Sequence, residues 1–323
     1  MSTTSAPKQP DNQAFAEDVR QGLSSDPKYL LSRYFYDAEG DKIFQKIMAL
    51  PEYYPTNCEF EIFQKHKEAI LQQLEDTPFD LVELGAGDGL KTQVLIRHFL
   101  DEKADFCYLP IDISKNVLDQ LQKALHETWP HLSVTLVEGE YFEALQEIGR
   151  LSERRKLVLF LGSNIGNMNQ IRASDFLCQL RKKLQPGDLL LVGFDLKKDP
   201  DVITAAYNDS QGVTRDFNLN LLRRINRELG ADFDLAAFRH WPSYNPLSGD
   251  MKSYLISEKQ QTVCIKALEL NVTFRKWEAI DMELSKKYDA PEIAWLAASA
   301  GFEEVQSFFD GRAYFADVLF RAI

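Results

Sequence analysis

Cysteine is scarce in this sequence, long apolar runs are missing, and acidic residues outnumber basic ones. The four cysteines are Cys58, Cys107, Cys178 and Cys264. They are widely spaced, with no C-x-x-C pair and no metal-ligand spacing, so we expect reduced, mostly packed thiols and no metal site. The longest apolar runs, such as Leu157 to Leu161, fall far short of the ~20 residues that a membrane-spanning helix needs. A membrane-spanning protein is therefore excluded.

Net charge excludes further classes of protein. The chain carries 37 Lys and Arg against 49 Asp and Glu, a net charge of −12 over 323 residues. A chain this acidic is repelled by nucleic-acid phosphates and by anionic lipid head groups. The first residues, MSTTSAPKQPDNQ, lack the basic region and apolar stretch of a secretory signal. We therefore expect a cytoplasmic, monomeric protein that acts on a small molecule, with residues 1–10 disordered.

The middle of the sequence alternates between short apolar runs and amphipathic helical segments. Five runs of strand length predict parallel strands joined by crossover helices. They are Phe79 to Leu84, Phe106 to Ile111, Ser133 to Val137, Leu157 to Leu161 and Leu189 to Gly193. Two final runs, Glu304 to Phe309 and Ala313 to Ala322, are separated by three residues and predict an antiparallel hairpin. The predicted fold is α/β: a Rossmann-like, seven-stranded sheet that ends in an antiparallel hairpin.

The pattern changes on both sides of this sheet. Residues 11–61 hold helical segments and an unusual cluster of tyrosines. Residues 197–286 combine an irregular stretch (Asp201 to Phe217), a helix (Leu219 to Leu229), a segment that Gly and Pro punctuate (His240 to Gly249) and one alternating strand (Val263 to Phe274). A chain of this length has room for about two domains. We therefore predict a sheet domain at 62–196 and 287–323, and a smaller, discontinuous α+β domain at 11–61 and 197–286.

The first predicted strand leads into a glycine-rich turn that reads Glu83-Leu-Gly85-Ala-Gly87-Asp-Gly89. The glycines allow a tight turn and the close approach of a ligand to the backbone. The spacing lacks the last glycine of the dinucleotide fingerprint G-x-G-x-x-G. Glu83 can bind an ammonium group but would repel a pyrophosphate. These features argue against a nicotinamide dehydrogenase and favour a cationic amino acid joined to a nucleoside.

Acidic residues also follow the next two predicted strands, at the sheet edge where such folds bind ligands. Asp112 lies 27 residues beyond Gly85, close to the ~20-residue offset at which an acid holds ribose hydroxyls. Glu140 and Tyr141 place an acceptor beside an aromatic ring, which suits an adenine. The alternative is that these acids only cap helices. Because three strand ends share the pattern, we predict that they bind one ligand.

Together these features resemble the class I S-adenosylmethionine-dependent methyltransferases, and five blocks in order resemble the histidine-specific Nα-methyltransferases of ergothioneine biosynthesis. The blocks are Phe35-Tyr36-Asp37, LPEYYPT from Leu50, GSNIGN from Gly162, YNDSQGVTRDFN from Tyr207 and ELSKKY from Glu283. The resemblance implies S-adenosylmethionine as cofactor and S-adenosylhomocysteine as its product. It also implies that the substrate is L-histidine, whose α-amine is methylated to the trimethylated form.

The resemblance implies a role for each matched residue of the substrate site, which it assigns to the smaller domain. Asn167, Tyr53 and Tyr207 correspond to the residues that hold the carboxylate of histidine. Glu283 and Ser285 correspond to those that read the imidazole, since a carboxylate accepts one ring N–H while a hydroxyl meets the other nitrogen.

The catalytic and cofactor residues follow in the same way. Tyr36 corresponds to a tyrosine beside both the sulfonium and the amine, so we assign it an orienting catalytic role and a place in the cofactor site. We also assign Lys91 and Gly162 to the cofactor site, together with Gly85 and Gly87.

Two positions depart from the family pattern. Asn57 replaces the arginine of Y-Y-P-T-R-x-E, and Ser253 stands where the histidine enzymes usually carry a methionine that lines the imidazole pocket. We keep Ser253 in the substrate site. The departures leave open another amino acid or small amine as acceptor, such as the tryptophan derivatives that related fungal enzymes methylate. Glu283 favours imidazole, because an unpaired carboxylate beside an indole is costly. A catalytically silent binding protein is disfavoured by the retained tyrosines and Asn167.

Overall fold

The computed structural model describes residues 11–323, with side chains from Gln13 onward. The expected disorder of residues 1–10 lies outside this range. The chain divides into two compact units, and each unit is built from two separate segments. We call Tyr54–Lys198 with Lys286–Ile323 the sheet unit, and the described residues up to Tyr53 with Asp199–Ser285 the smaller unit.

Between residues 11 and 323 the chain forms α-helices, β-strands and short 3-10 turns. The helices are α1 (Asp11–Ser24), α2 (Ala38–Met48), α3 (Pro55–Gln72), α4 (Thr92–Asp101), α5 (Lys115–Thr128), α6 (Tyr141–Leu151), α7 (Gln170–Arg181), α8 (Pro200–Tyr207), α9 (Val213–Leu229) and α10 (Ala290–Ala300). The strands are β1 (Lys28–Tyr29), β2 (Phe79–Leu84), β3 (Phe106–Asp112), β4 (Val137–Glu138), β5 (Arg155–Phe160), β6 (Leu189–Asp195), β7 (Phe238–Asn245), β8 (Asp250–Ser257), β9 (Gln261–Ile265), β10 (Leu270–Phe274), β11 (Ala279–Lys286), β12 (Phe302–Phe309) and β13 (Phe315–Ala322). The described helices include none that is both long and apolar enough to cross a membrane.

The sheet unit is organised around a seven-stranded sheet in the order β12-β13-β6-β5-β2-β3-β4. Strands β4, β3, β2, β5 and β6 are parallel, whereas β13 runs antiparallel to both β6 and β12. All six residues of β2 are buried, which is expected for a parallel strand that is covered on both faces. The predicted fold class, including the terminal antiparallel hairpin, is confirmed.

Helices cover the two faces of this sheet. Alternate strand residues such as Val82, Val158 and Val192 pack with α6, α7 and α10 in one apolar core. On the other face the ring of Phe79 contacts Phe99 of α4 at 5.6 Å between centroids. Because these strands are parallel, their carboxyl ends lie at one edge of the sheet. The residues that follow β2, β3, β4 and β5 are therefore brought together at that edge.

The smaller unit contains a four-stranded sheet in the order β1-β11-β8-β7 and a separate β9-β10 hairpin. Its apolar core joins the N-terminal segment to the later one, because Phe15, Phe35 and Ile47 pack with Phe217, Leu255 and Met282. Strand β1 pairs in parallel with β11, with Lys28 opposite Ile280. Residues that are far apart in sequence therefore form a single folded unit.

Three predictions for the smaller unit are wrong in detail. The stretch Asp201 to Phe217 is not irregular, because α8 and the start of α9 occupy most of it. The single strand expected over Val263 to Phe274 is the hairpin β9-β10, which turns at Lys266–Leu268 and Glu269. The segment from His240, which Gly and Pro punctuate, continues β7, and Pro242 is tolerated because β7 is an edge strand.

The unit boundaries differ slightly from the predicted domain boundaries. The first lies after Tyr53 rather than after Glu61, because α3 begins at Pro55 and packs against α4 and β13. The other two lie after Lys198 and Ser285, within two residues of the expected positions. The cysteines form no disulfide in the described chain; Cys58 is buried and the other three are half-buried.

Candidate active site

The glycine turn after β2 has the backbone geometry that the sequence predicts. Gly85 has a φ of +73°, and its N–H donates to the carbonyl of Ile111 at 2.9 Å. A Cβ atom at Gly85 would lie 2.7 Å from the hydroxyl of Tyr141, so a larger residue would force that ring away. A Cβ at Gly87, whose φ is +55°, would meet no atom within 4 Å. The turn is open above Gly87, as the approach of a ligand requires.

Asp112 lies at the end of β3 beside this turn. Its carboxylate accepts the N–H of Ser114 at 2.9 Å and that of Gly87 at 3.4 Å. The Gly87 bond ties the carboxylate to the glycine turn across two adjacent strands. Asp112 is half-buried, and an ionised carboxylate has about four acceptor positions. It can therefore accept further hydroxyl groups while the backbone holds its orientation.

Glu140 and Tyr141 begin α6 just after β4. Glu140 is the N-cap residue, yet its exposed side chain makes no capping hydrogen bond. The ring of Tyr141 packs edge-on against Phe160 at 6.2 Å, and burial, then Asp112 and Glu140, raises the pKa of its hydroxyl to about 12. The capping alternative therefore does not hold for Glu140.

Glu83 is buried at the end of β2, with only 4% of its surface exposed. Its carboxylate accepts a hydrogen bond from the hydroxyl of Thr92 at 2.7 Å and one from the hydroxyl of Tyr108. Burial raises its pKa to about 7, although both hydroxyls favour the ionised form. The carboxylate is therefore poised to change its protonation state near neutral pH.

Lys91 and Gly162 contact a residue that the sequence analysis did not select. Glu59 is buried on α3, forms an ion pair with Lys91, and accepts the N–H of Gly162 at 2.8 Å. Asp317 lies against it on β13, and burial, followed by the charge of Glu59, raises the pKa of Asp317 well above its ordinary value. The ion pair with Glu59 orients the ammonium of Lys91. An acidic residue on the apolar face of α3, beside Cys58, Ile62 and Phe63, was the sequence signal for this role.

The block GSNIGN forms the turn after β5 that carries Asn167. Ser163 adopts a left-handed conformation with φ +56°, and residues Asn164–Asn167 form a 3-10 turn. Gly166 is required there, because a Cβ would lie 2.8 Å from the carbonyl of Lys286. Asn167 is exposed at the end of the turn, so its amide is presented to solvent rather than packed.

In the smaller unit, Tyr36 and Tyr53 belong to a cluster of rings. Tyr36 packs edge-on against Phe44 at 5.4 Å and Phe217 at 5.5 Å, and Phe44 contacts Tyr53 at 6.2 Å. Phe44 was not predicted as a site residue, because its helical periodicity on α2 is that of an ordinary core residue. Phe217 lies in a quoted family block, but no role was assigned to it.

Tyr207, Glu283 and Ser285 lie near the same cluster. The hydroxyl of Tyr207 donates to the hydroxyl of Ser285 at 2.7 Å, and both side chains are buried. Although 47% of the Tyr36 surface is exposed, desolvation of its hydroxyl raises its pKa, and the charge of Glu283 and then Tyr207 raise it further. The structure therefore brings Tyr36, Tyr207, Glu283 and Ser285 together within one unit.

Ser253 lies on the inner face of β8, opposite Pro242 of β7. Only 1% of its surface is exposed, and among the described residues its hydroxyl has no hydrogen-bond partner. A buried hydroxyl without a partner is costly to the protein, which marks the position as one where a ligand or a water molecule can supply the missing bond.

The predicted residues thus fall into two sets. The residues predicted for the cofactor lie in the sheet unit, except Tyr36. The residues predicted for the substrate lie in the smaller unit, except Asn167.

A family model described as histidine-specific methyltransferase, S-adenosylmethionine-dependent, matches residues 15–322. The chain belongs to this family. The family, the enzyme class and the methyl donor predicted from the five sequence blocks are thereby confirmed. The match covers both units, so the smaller unit is part of the family architecture rather than an unrelated insertion.

Individual relatives differ in the acceptor that their names give. The chain is 38% identical to the histidine N-alpha-methyltransferase of Mycolicibacterium smegmatis, over 92% of each chain. It is 29% identical to the ergothioneine biosynthesis protein 1 of Schizosaccharomyces pombe, over 76% of this chain and 33% of that protein. It is 28% identical to an L-tryptophan methyltransferase of Psilocybe serbica, over 94% of this chain and 92% of that protein.

Proposed function

We propose that this enzyme transfers methyl groups from S-adenosylmethionine to the α-amino group of L-histidine, and that three transfers give the trimethylated product of ergothioneine biosynthesis. S-adenosylhomocysteine is the product of the cofactor. The observation that carries the choice of histidine is the position of Glu283, close enough to Tyr36 to raise the pKa of its hydroxyl. A charged hydrogen-bond acceptor beside the orienting tyrosine suits a methyl-accepting substrate that carries a ring N–H.

The residues around the glycine turn fit the cofactor. Asp112 would accept the two ribose hydroxyls, and Glu140 with the ring of Tyr141 would hold the adenine. The backbone could approach the cofactor closely at Gly85, Gly87 and Gly162. Glu59 would orient the ammonium of Lys91 toward the carboxylate of the cofactor. The bound cofactor supplies an electrophilic methyl group on a sulfonium.

The imidazole would be read by two oxygen atoms of different character. When it is ionised, the Glu283 carboxylate accepts hydrogen bonds and cannot donate one. It therefore selects a ring nitrogen that carries a proton. The Ser285 hydroxyl accepts a hydrogen bond from Tyr207 at 2.7 Å and would donate its own proton to the other ring nitrogen. This pairing distinguishes imidazole from a phenyl ring, which offers neither group.

Methyl transfer to an amine is an in-line displacement, so alignment contributes more than a strong base does. The raised pKa of Tyr36 keeps its phenol protonated at neutral pH, and it therefore cannot serve as a phenolate base. It can orient the amine through a hydrogen bond and leave the departing proton to water. The rings of Tyr36, Phe44 and Phe217 also suit the growing positive charge of the methylated amine, since aromatic faces attract such cations.

A direct assay tests the function. Purified protein is incubated with L-histidine and S-adenosylmethionine, and the product is followed by mass spectrometry. We expect the gain of one, two and then three methyl groups on histidine. No gain of mass, with S-adenosylhomocysteine still binding the protein, would rule out histidine as the acceptor.

The role of Tyr36 is tested separately. Because Tyr36→Phe removes only the orienting hydroxyl, we expect kcat to fall about 30-fold while KM for histidine changes little. Tyr244→Phe, on the outer part of β7, serves as the matched control. A larger effect on KM than on kcat would contradict an orienting role in the reaction itself.

One observation favours a second acceptor. Ser253 replaces the methionine expected in the imidazole pocket, and one relative is named as an L-tryptophan methyltransferase. The smaller side chain would leave more room for a larger ring. Thermal-shift measurements with each amino acid in the presence of S-adenosylhomocysteine separate the candidates, because a ligand stabilises the fold according to its concentration relative to its Kd.

A further inference from the structure

The sheet unit contains a cluster of buried charges that neither the cofactor nor the substrate residues explain. Asp195, at the end of β6, lies 2.7 Å from the ammonium of Lys287 and 2.5 Å from that of Lys198. The hydroxyl of Tyr54 donates to both of its carboxylate oxygens, at 2.9 and 3.0 Å. We call these four residues the Asp195 cluster. Their charged groups and the phenol are at most 5% exposed.

Stability alone does not account for this arrangement. Two ammonium groups share one carboxylate. Although burial opposes ionisation, Lys287 and Lys198 hold the pKa of Asp195 below its ordinary value, and burial lowers the pKa of Lys198. Buried ion pairs are often no more stabilising than well-packed apolar residues, because their desolvation is costly. Buried ion pairs do fix geometry, because each of their hydrogen bonds holds one chain segment in a defined position relative to another.

The segments that the cluster fixes are the three connections between the units. Tyr54 directly follows Tyr53, where the chain enters the sheet unit. Lys198 is the last residue before the chain leaves it, and Lys287 lies two residues beyond Ser285, just after the chain returns. One carboxylate therefore holds the chain at all three crossings.

The backbone of Asp195 also holds a fourth segment, the turn after β5. The N–H of Asp195 donates to the hydroxyl of Ser163 at 3.2 Å, and its carbonyl accepts the N–H of Tyr288 at 2.9 Å. The hydroxyl of Tyr288 in turn donates to the carbonyl of Ile165 at 3.2 Å. Both Ser163 and Ile165 belong to the turn that presents Asn167. Asp195 thus anchors the turn as well as the three crossings.

We propose that Asp195 is a positioning residue for the amino-acid substrate. It holds in place the sheet-unit residues that adjoin Tyr53, Asn167 and Ser285 along the chain, without contacting the substrate itself. This role rests on the proposed function, since those three residues are assigned to histidine. It predicts that damage to the cluster weakens substrate binding selectively and leaves cofactor binding intact.

The mildest test removes one hydroxyl from the cluster. Tyr54→Phe keeps the ring, which packs against Tyr314 at 5.6 Å, and removes both hydrogen bonds to Asp195. We expect KM for histidine to rise about tenfold, with kcat and the Kd of S-adenosylhomocysteine changed less than about twofold. Tyr314→Phe is the matched control, because it removes a neighbouring hydroxyl that is not part of the cluster.

A stronger test changes the carboxylate. Asp195→Asn removes the carboxylate that pairs with the buried ammonium groups of Lys198 and Lys287, which endangers folding. The double variant Asp195→Asn with Lys198→Met restores the original net charge of the cluster but not its geometry. We expect this double variant to bind S-adenosylhomocysteine normally in calorimetry and to show a KM for histidine at least about tenfold above that of Tyr54→Phe.

Two results would overturn the proposal. One is an unchanged KM for histidine in both Tyr54→Phe and the double variant. The other is a parallel loss of histidine affinity, cofactor affinity and melting temperature, which a purely structural cluster would produce. If the unmodified enzyme does not methylate histidine, the proposed function fails instead, and the same variants are then tested with the amino acid that raises its melting temperature.

Discussion

The candidate residues of the sheet unit follow the ends of consecutive strands, whereas those of the smaller unit lie on elements that are far apart in sequence. Gly85, Asp112 and Glu140 lie at or within two residues of the ends of β2, β3 and β4, and the sheet itself aligns them. Tyr36, Tyr207 and Glu283 lie on a turn, a helix end and a strand, and only the folded core brings them together.

The difference reflects what each set would bind. S-adenosylmethionine is common to a whole family of enzymes, and a local pattern of turns and acids is enough to hold it. An amino-acid substrate has to be distinguished from others of similar size, which takes several polar groups arranged around it in three dimensions. The following predictions test whether the two sets act separately.

The largest effect is expected at Glu283. Glu283→Ala removes the acceptor for the imidazole N–H, and we expect kcat/KM for histidine to fall roughly 10³-fold, because a polar group of the substrate loses its partner. The Kd of S-adenosylhomocysteine should stay within about twofold of the original. Asp281→Asn is the control on the same strand, where Asp281 pairs with Lys252 at 2.6 Å. Equal losses of both affinities would show that the two sets do not act separately.

Glu83 tests the sheet unit through its pH dependence. The folded protein keeps a proton on Glu83 up to about pH 7, whereas the unfolded chain releases it at an ordinary pKa of 4.5. The contribution of Glu83 to the free energy of unfolding therefore falls by about 3 kcal/mol as the pH rises through this window. We expect Glu83→Gln to lose this decrease in urea unfolding at about pH 5 and about pH 8, with Glu138→Gln as control.

The same residue links protonation to the cofactor. A cationic ligand beside Glu83 lowers its pKa, so the binding of S-adenosylmethionine near neutral pH should release protons. Calorimetry in buffers of different ionisation enthalpy measures this release. A Glu83→Gln protein that still releases the same number of protons would remove Glu83 from the cofactor site.

The next largest effect is expected from a substitution of Asp112. Asp112→Asn keeps the shape of the side chain but loses a charged acceptor for ribose hydroxyls, so we expect the Kd of S-adenosylhomocysteine to rise about 30-fold. The affinity for histidine, measured at saturating S-adenosylhomocysteine, should not change. Asp119→Asn is the matched control, since that exposed side chain pairs only with Lys115 among the described residues.

Ser253 offers the smallest and most discriminating effect. Because its buried hydroxyl has no partner in the described structure, Ser253→Ala should not lower the free energy of unfolding. If the hydroxyl meets the substrate, KM for the true acceptor rises about threefold in the same variant. A loss of stability of more than about 1 kcal/mol would show that the hydroxyl is satisfied within the protein.

The sheet was readable from sequence because its strands are buried on both faces and are therefore continuous apolar runs. The strand expected over Phe79 to Leu84 has those bounds in the structure. The strand expected over Ser133 to Val137 is wrong in extent, since only Val137–Glu138 form β4 and Val134 makes an isolated bridge to Tyr108. As an edge strand it is half-exposed, and its apolar run is a weaker signal.

The smaller unit was harder to read because its turns use unusual residues. The β9-β10 hairpin turns through Glu269 in a left-handed conformation, with no glycine or proline to mark it. Helix α9 begins earlier than its apolar pattern suggests, because Asp209 accepts the N–H groups of Val213 and Thr214. Glu59 and Asp195 were missed for another reason: their partners are distant in sequence, so no local pattern connects them.

The discontinuity of the smaller unit has a consequence for biosynthesis. Its N-terminal segment buries Phe15 and Phe35 against residues of the later segment, such as Phe217 and Met282, which are synthesised up to more than two hundred residues afterwards. At roughly 5–20 residues per second, the ribosome takes about 10 to 50 s to complete that partner. During this interval the apolar face of α1 and the rings around Tyr36 have no native surface to cover them. The N-terminal segment of the nascent chain therefore has to be shielded until the later segment of the smaller unit has been synthesised.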